Sequence, residues 1–471
     1  MHVTLTLSYL SKFLHLSYDG KKSANDVNNY RGITLSSILL KVFDKIIIKL
    51  HSNILNTSDM QYGFKKKHST TQCTFVVEEI IQYYKNRNSN VYVLMLDASK
   101  AFDRVNYLKL FNILIGKGLC MLLVRTLLFM YINQLVSIKW GNSESSQFSV
   151  TNGVKQGGVL SPLLFTIYTD MLFEQLSHCE LGCYVGTTFM GEFGYADDIV
   201  LLAPTLYALH HLYHKCKDYC DKYDIKLNPD KSNLLAYNSN VSGIYLDSVY
   251  IQCSAMEKHL GNLIGPNAGD KNMKCKLNEI YVHTNHIHNV FGKASYRVKY
   301  QLFKSYCLPL YGSVLWDYSH PSIEKLYLTW RKCVRKLINV PYNTHSALLP
   351  AICNDVPVDV QMHKRVVKFI FSLLESNNIR NKICLLLSVN GSCSSMCNTI
   401  NYVCHKYNFN KINLININRK LVFHKLSNHV KPSNCVSVSL IRDLIHCKDT
   451  HDYSFLSKCE VDFALQTLCS K

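Results

Sequence analysis

The sequence predicts an α+β fold followed by a mostly helical region, and three observations lead to this prediction. Up to about residue 265, apolar runs typical of strands alternate with segments whose apolar residues recur at helical spacing. Beyond that point the strand signals fade and long helical segments dominate. The tetrad Tyr195-Ala196-Asp197-Asp198 lies between two apolar runs, which predicts a β-hairpin with acidic residues at its tip.

The first elements follow from apolar spacing. Residues 33–50 predict a helix, because apolar side chains recur at helical spacing (Leu35, Ile38, Leu39, Val42, Ile46 and Leu50). A second helix is predicted after Ser69-Thr70-Thr71-Gln72, which has the pattern of a capping box. Residues 91–96 are apolar on both faces and predict a buried central strand, and residues 106–135 predict one or two apolar helices.

The later elements of the α+β part are shorter. Strands are predicted at about 136–139 and 148–151, and Ser161-Pro162 predicts the N-cap and first residue of a helix. A further helix is predicted at roughly 205–223. Strand patterns then return at about 234–237 and 244–251.

The composition favours a polyanionic partner. The chain has 471 residues and a formal net charge of +19. Such an excess of positive charge is typical of proteins that bind nucleic acid, and it makes binding depend on salt. The alternative is a basic surface that serves only solubility.

The nineteen cysteines do not predict a disulfide framework or a zinc site. Their number is odd, their spacing is irregular, and no pair has zinc-finger spacing. We therefore expect mostly buried free thiols in a reducing, intracellular compartment, either nucleus or cytoplasm. We expect no membrane span, because the longest uncharged stretch is interrupted by Asn, Gly and Ser.

Three carboxylates have matching sequence contexts. Asp97 ends the apolar run of residues 91–96, and Asp197 and Asp198 lie at the tip of the predicted hairpin. Adjacent anions repel each other, so a nearby cation would stabilise them. Three carboxylates at strand ends could hold two Mg²⁺ ions, which is what the polymerisation of nucleotides requires.

The order of motifs along the chain resembles the reverse transcriptase of non-LTR (LINE-type) retrotransposons. The resemblance covers about residues 25–265 and continues more loosely through 330–341. Seven blocks carry it: 29–35 (NYRGITL), 61–64 (QYGF), 96–105 (LDASKAFDRV), 154–162 (VKQGGVLSP), 195–198 (YADD), 227–232 (LNPDKS) and 258–261 (KHLG).

The resemblance implies a right-hand polymerase. Residues 1–265 would form the fingers and palm, residues 266–350 a helical thumb or connection, and residues 351–471 a mostly helical region of unknown role. The implied activity is RNA-directed DNA polymerisation, in which a primer 3′-hydroxyl is extended with dNTPs on an RNA template. Two Mg²⁺ ions are implied as cofactors, held by the catalytic acids Asp97 and Asp197, with Asp198 as a weaker ligand.

Three further positions are implied to contact the incoming nucleotide. Phe102 follows Asp97 at the offset where the wider family has an aromatic residue that excludes a ribose 2′-hydroxyl. The alternative for Phe102 is a plain core position. Gln156 and Gly157 would give backbone freedom beside the primer–template and the incoming base, or would form an ordinary loop before a helix.

Three basic residues are candidates for phosphate contacts. Arg31 and Lys65, the latter within the run Lys65-Lys66-Lys67, could bind the triphosphate or the template strand, and Lys231 could act as general acid for pyrophosphate. For each of them a solvated surface role is the alternative.

The elements of this group usually carry an endonuclease upstream of the polymerase. We expect this chain to lack one and to work with an endonuclease in trans if it integrates DNA. The rival hypothesis is a catalytically inactive, nucleic-acid-binding remnant of such an element.

Overall fold

The computed structural model describes residues 12–18, 25–26, 30–140, 142–410, 422 and 426. The strands are β1 Lys12–Tyr18, β2 Tyr30–Leu35, β3 Val91–Ala98, β4 Leu135–Trp140, β5 Ser143–Glu144, β6 Phe148–Ser149, β7 Tyr184–Val185, β8 Thr188–Phe189, β9 Glu192–Tyr195, β10 Asp198–Ala203, β11 Leu227–Tyr237, β12 Gly243–Leu246, β13 Val249–Gln252, β14 Glu257–His259 and β15 Asn262–Ile264.

The helices are α1 Ile38–Leu50, α2 Thr70–Lys85, α3 Ala101–Arg104, α4 Tyr107–Gly116, α5 Met121–Ile132, α6 Ser161–Ser177, α7 Leu206–Lys222, α8 Ala268–Val290, α9 Tyr296–Tyr306, α10 Ser322–Ile338, α11 Leu348–Ile352, α12 Val358–Leu374, α13 Ile379–Val389 and α14 Ser395–Tyr407. The mixed helix-and-sheet architecture agrees with the predicted α+β fold.

The chain divides into two compact units. The first comprises residues 1–73 and 87–255, and the second comprises residues 74–86 and 256–471. The finer division into fingers, palm and thumb, with boundaries at residues 265 and 350, stays a prediction.

The central sheet of the first unit has four antiparallel strands in the order β11-β3-β10-β9. One of its faces packs against α6 and α7 in a hydrophobic core (Leu94, Phe165, Leu201, Leu209 and Leu212 among others). Since β3 has a strand on each side and side chains from both of its faces are buried, it is the central strand that the apolar run predicts.

Three smaller sheets accompany the central one in the first unit, and one of them is the β7–β8 hairpin. A second contains β2-β1-β4-β5, with β6 also paired to β4, and the third is the β12–β13 hairpin. The β1–β4 pairing is parallel, whereas β1 and β2 are antiparallel. The segments predicted as strands near 136–139, 148–151 and 244–251 therefore all contribute strands.

The prediction for residues 33–50 is partly wrong. Ile33 and Leu35 lie in strand β2, and the helix begins only at Ile38. Its predicted apolar face is largely exposed, while Leu40 and Ile47 are buried. Leu40 packs with Phe43 and Met130, so the helix faces the core with a stripe that the spacing argument left out.

Two helix starts test the capping predictions. Ser69 caps the start of α2, since its hydroxyl accepts a hydrogen bond from the Gln72 backbone N–H at 3.2 Å. Ser161 is itself the first residue of α6, and Leu160 occupies the N-cap position without a side-chain hydrogen bond. The expected N-cap role of Ser161 is therefore wrong by one residue, and its side chain is buried instead.

The second unit contains most of α2, the β14–β15 hairpin and helices α8–α14. The helices α8, α9 and α10 pack against one another, as do α12, α13 and α14 in sequence. In the part of the chain that the structure describes, no helix is both long and apolar enough to cross a membrane. The described cysteines are free, and most of them are buried.

Because the imidazole of His259 is buried, we expect the protein to lose stability against unfolding in mild acid. Only 4% of His259 is exposed, and burial lowers the pKa of its ring from 6.5 to about 4. As the pH falls, the His259 ring is protonated in the unfolded state before it is protonated in the folded state. The free energy of unfolding therefore keeps its full value above pH 6.5 and decreases as the pH approaches the folded-state pKa of about 4. We expect the free energy of unfolding to fall by about 3 kcal/mol across this range through this group.

Urea unfolding at pH values above and below that range measures the effect. The variant His259→Phe has no ring proton to bind, so it should lose less stability on acidification than the parent. Equal losses in the two proteins would contradict the assignment to His259.

Candidate active site

The central sheet brings the predicted acids to one end. Asp97 lies near the end of β3, Asp198 begins β10, and Asp197 lies in the turn before it. The antiparallel register pairs Ile199 with Leu96, so continuing it by one residue places Asp198 opposite Asp97. The structure thus makes neighbours of strand positions that are a hundred residues apart in the sequence.

The charges of these acids affect one another. The pKa of Asp198 rises from 3.8 to about 6, first because surrounding protein removes part of its water, and then because the negative charges of Asp197 and Asp97 repel its own. The Asp198 side chain nevertheless remains accessible at the surface. A cation placed among the three carboxylates would relieve this repulsion.

Among the site candidates whose side chains the structure describes, only Lys231 has its ammonium group beside a predicted acid. Strand β11 pairs Asn228 with Asp97 and Asn233 with Met95, so residues 229–232 form a bulge opposite one residue of β3. This bulge brings the Lys231 Nζ to 4.0 Å from the Asp97 Oδ2, while the lysine side chain stays largely exposed. An exposed ion pair at this distance contributes little to the free energy of unfolding. Its relevance is that it places a positive charge beside the proposed catalytic acid.

Ser232 fixes the bulge and is a residue that sequence reasoning missed. Its side chain is buried, its hydroxyl donates to the Asn228 carbonyl at 2.9 Å, and it accepts a long contact of 3.5 Å from the Asp97 backbone N–H. The serine therefore links the Lys231 bulge to the strand that carries Asp97. A single small polar residue in a strand bulge gives no sequence signal for such a role.

Phe102 lies on the short helix α3, between two other aromatic rings. It stacks on Phe165, with ring centroids 4.2 Å apart, and meets Phe64 edge to face at 6.1 Å. The Phe165 ring belongs to the core, whereas Phe102 is only half-buried. Both interpretations of Phe102 are compatible with this position: one face packs on the core and the rest of the ring remains accessible.

The loop of residues 153–158 is attached to the segment that carries Phe102. The Val154 backbone N–H donates to the Phe102 carbonyl at 2.8 Å, and the Gln156 side-chain amide donates to the Asp103 carboxylate at 3.1 Å. The Gln156 carbonyl accepts from the Thr34 N–H at 2.6 Å. Gln156 and Phe102 are thus joined through the backbone and through Asp103.

Gly157 requires a glycine at its position. Its φ is +100°, and a Cβ there would lie 2.9 Å from the Thr34 carbonyl oxygen.

We expect Gly157→Ala to lower the free energy of unfolding by about 1–3 kcal/mol, as measured by urea unfolding. The matched control is Gly116→Ala in α4, where a Cβ meets no atom within 4 Å and which should be neutral or slightly stabilising. Equal effects in the two variants would contradict the role of backbone geometry.

The two remaining basic candidates are placed differently. Arg31 lies within β2, but its side chain is outside the part of the chain that the structure describes. The Lys65 Nζ donates to the carbonyls of Thr57 and Ser58 at 2.9 and 3.1 Å, and it pairs with the Asp59 carboxylate at 2.8 Å. An ammonium group has three protons to donate, so this arrangement occupies Lys65 and disfavours it as a phosphate ligand. The neighbouring Lys66 and Lys67 are exposed.

The chemistry of the donors at the end of the sheet fits a hard divalent cation. Carboxylate oxygens are the ligands that Mg²⁺ prefers. Burial raises the pKa of Asp198 most, and repulsion by the carboxylates of Asp197 and Asp97 raises it further. Among the described residues, however, no three His, Cys, Asp or Glu side chains already stand as a group that could hold one metal ion. Ion binding would therefore need side-chain rotation of the acids, which lie on adjacent strand and turn positions.

An antiparallel sheet with carboxylates at the end of two adjacent strands, and with helices on one face, fits a polymerase that joins nucleotides. The chain belongs to the family described as reverse transcriptase (RNA-dependent DNA polymerase), whose profile matches residues 20–264, more than half of the sequence. Enzymes of this family generally use divalent metal ions.

Curated relatives confirm the resemblance to non-LTR retrotransposons. The chain is 28% identical over 209 residues to the retrovirus-related Pol polyprotein from the type-2 retrotransposable element R2DM of Drosophila melanogaster, covering 44% of this chain and 20% of that protein. It is 24% identical over 300 residues to the probable RNA-directed DNA polymerase from transposon X-element of the same species, covering 56% and 31%. The RNA-directed DNA polymerase from mobile element jockey of Drosophila funebris is 24% identical over 271 residues, covering 52% and 27%.

The chain therefore spans between a fifth and a third of the length of these relatives. Among solved structures, telomerase from Candida Tropicalis in complex with a fragment of telomeric RNA matches with a TM-score of 0.40 and 12% identity, covering 93% of this chain and 64% of that chain.

Proposed function

We propose that this chain is a Mg²⁺-dependent RNA-directed DNA polymerase that extends a primer 3′-hydroxyl with dNTPs on an RNA template. The observation that carries the proposal is the register of β3 and β10, which makes Asp97 and Asp198 neighbours beside Asp197 in a chain of the reverse transcriptase family. The expected lack of an endonuclease stays a prediction, because the chain spans only part of its relatives.

Each residue of the site has a separate part in this proposal. Asp97 and Asp197 would hold both ions, and Asp198 would contribute a weaker ligand. When bound, two Mg²⁺ ions lower the pKa of the attacking hydroxyl and neutralise the pyrophosphate leaving group. The protonated Lys231 amine, beside Asp97, could donate a proton to a pyrophosphate oxygen.

The residues around the acids would select and orient the nucleotide. The accessible part of the Phe102 ring would occupy the space of a ribose 2′-hydroxyl and thereby favour dNTPs. The loop at Gln156 and Gly157, fixed through Asp103 and Thr34, would support the base and the template position. These contacts would limit the movement of the primer hydroxyl and the nucleotide relative to each other. Such orientation of the reactants supplies much of a polymerase's rate enhancement.

A basic cavity in the first unit supports a nucleic-acid partner. Its volume is about 860 Å³, and it lies among the C-terminal half of α1, residues 63–66 and the start of α6. Among the described residues no acidic residue lines it, and three of its four lysines (Lys45, Lys49 and Lys66) support this partner, since Lys65 pairs with Asp59. Phe64 also lines it and contacts Phe102 edge to face, so a strand bound there would lead towards the proposed nucleotide site.

We expect neutralising Lys45 and Lys49 together to weaken binding of an RNA–DNA hybrid and to make it less salt-dependent. Loss of two phosphate contacts should reduce the slope of log affinity against log salt concentration by about 1.5. The double variant Lys215→Gln with Lys222→Gln on α7 removes the same charge elsewhere in the unit and is the control. Filter binding at rising salt measures the slopes, and equal slopes for the two variants would remove the cavity from the proposal.

Primer extension on poly-rA/oligo-dT with dTTP and Mg²⁺ tests the function itself. Incorporation that EDTA abolishes supports the proposed polymerase. A folded sample that binds the hybrid without extending it would instead favour the catalytically inactive, nucleic-acid-binding remnant. Binding that shows no salt dependence would overturn both and favour an interaction protein whose charge is incidental.

A further inference from the structure

The tip of the acidic hairpin has an unfavourable backbone and unfavourable charges. Tyr195 and Asp198 pair across the strands, which leaves Ala196 and Asp197 in the turn. Ala196 has a φ of +60°, in the left-handed region that costs free energy for any residue with a Cβ. The two adjacent aspartates also repel each other, so other parts of the protein must hold this turn in place.

A buried glutamine contacts the strained residue on both of its backbone groups. The Gln61 side chain is fully buried, with 0% exposed. Its Oε1 accepts a hydrogen bond from the Ala196 N–H at 2.9 Å, and its Nε2 donates to the Ala196 carbonyl at 3.3 Å. The side-chain amide therefore forms the same two hydrogen bonds with Ala196 that the backbone of a neighbouring strand would form. It does so just beyond Tyr195 and Asp198, the last hydrogen-bonded pair of the hairpin.

The segment around Gln61 is itself fixed to the hairpin. Gln61 forms a parallel bridge with Gly194, the Tyr62 N–H donates to the Gly194 carbonyl at 2.8 Å, and the Gly194 N–H donates to the Met60 carbonyl at 3.1 Å. The Gln61 Oε1 also accepts from the Gly63 N–H at 2.8 Å, which fixes the orientation of its amide. At Gly63, a Cβ would approach the Ala196 nitrogen to within clashing distance, so the two backbones are in close contact.

We propose that Gln61 is a positioning residue that holds the backbone of the Ala196-Asp197 turn, so that the side chains of Asp197 and Asp198 rotate towards a divalent cation from one fixed backbone position. The inference rests on the proposed function of those acids. A glutamine suits the position because it supplies a donor and an acceptor without charge. A glutamate would lose the donor to the Ala196 carbonyl and would bury a third anion near two others.

Amide hydrogen exchange tests the inference without catalysis. In the parent protein, the Ala196 N–H should exchange as slowly as amides within β10, and more slowly than the Ser248 N–H in the turn between β12 and β13. The variant Gln61→Leu removes both contacts at similar volume, and exchange at Ala196 should become at least about tenfold faster. The control is Gln134→Leu, a glutamine of the same unit that is 4% exposed and lies between α5 and β4.

Tb³⁺ luminescence supplies a second readout, because Tyr195 lies beside the acids and can sensitise a bound lanthanide. The half-saturating Tb³⁺ concentration, and the Mg²⁺ concentration that displaces the ion, should rise about tenfold in Gln61→Leu and stay unchanged in Gln134→Leu. In extension assays the kcat should fall while the KM for dNTP changes little, since the turn acts on the carboxylates and not on nucleotide binding.

Several results would overturn the inference. Rapid exchange of the Ala196 N–H in the parent protein would do so even if Gln61→Leu failed to fold. Parent-like exchange and Tb³⁺ binding in a folded Gln61→Leu would reduce Gln61 to a core residue. An inactive parent that still shows the exchange and Tb³⁺ differences would refute the proposed polymerase and leave the role of Gln61 in place.

Discussion

Replacement of Asp197 by asparagine is expected to abolish nucleotide incorporation while leaving the fold and hybrid binding nearly unchanged. The substitution keeps the size of the side chain and removes the negative charge that would hold both ions. Loss of one preorganised group that stabilises transition-state charge typically costs about 10²–10³-fold in rate, and a ligand shared by two ions should cost at least that much. The measurement is primer extension in Mg²⁺, with circular dichroism and filter binding on the same sample.

The chain offers a matched control for that variant. Asp247 also lies in the turn of a hairpin, between β12 and β13, and its carboxylate pairs with Lys217 at 2.7 Å and accepts from the Tyr213 hydroxyl at 2.9 Å. Asp247→Asn should therefore extend primers at nearly the parent rate. Parent-like extension by Asp197→Asn would refute the metal assignment, whatever the control does.

Replacement of Phe102 by alanine is expected to admit ribonucleotides. The half-buried ring is held on one side by Phe165 and on another by Phe64, so its accessible part is a rigid obstacle rather than a mobile one. Removing that obstacle should lower the preference for dTTP over UTP, expressed as a ratio of kcat/KM values, by about 10²-fold. Single-nucleotide extension with each triphosphate gives this ratio.

The conservative variant separates selectivity from packing. Phe102→Tyr keeps the ring and its stacking on Phe165, and it should retain sugar selectivity close to that of the parent. The alanine variant should also lose some stability, because it removes an aromatic pair. Reduced stability with unchanged sugar selectivity would leave Phe102 as a core residue only.

Much of the fold could be predicted because its signals are local. The buried strand β3, the hairpin of β9 and β10, and the helix α7 each follow from a run of residues that are contiguous in the sequence. Helix α1 shows the limit of such reasoning: its spacing predicted a helix, but not which apolar stripe would meet Met130. Periodicity identifies an apolar face, while the choice between two faces depends on the partner.

The individual roles in the site were less accessible to sequence reasoning. Lys65 is a candidate for contacts with the triphosphate or the template strand, and a solvated surface role is the alternative. Neither interpretation anticipates that its ammonium group binds the loop at residues 57–59. Gln61 was part of a motif without an assigned role, and its contact with Ala196 joins residues 135 positions apart. A hydrogen bond over that separation leaves no periodic signal in either segment.

The sequence alone identifies this chain as a member of the reverse transcriptase family, with carboxylates at the ends of apolar runs and a net charge of +19. Which residues contact one another is visible only in the folded chain. Strand register places Asp97 opposite Asp198, the β11 bulge places Lys231 beside Asp97, and the Gln61 side chain binds the strained turn at Ala196. The physical reason is that burial and turn preferences act between near neighbours in the chain. Charge repulsion and hydrogen bonds between distant segments exist only once the sheet has brought them together.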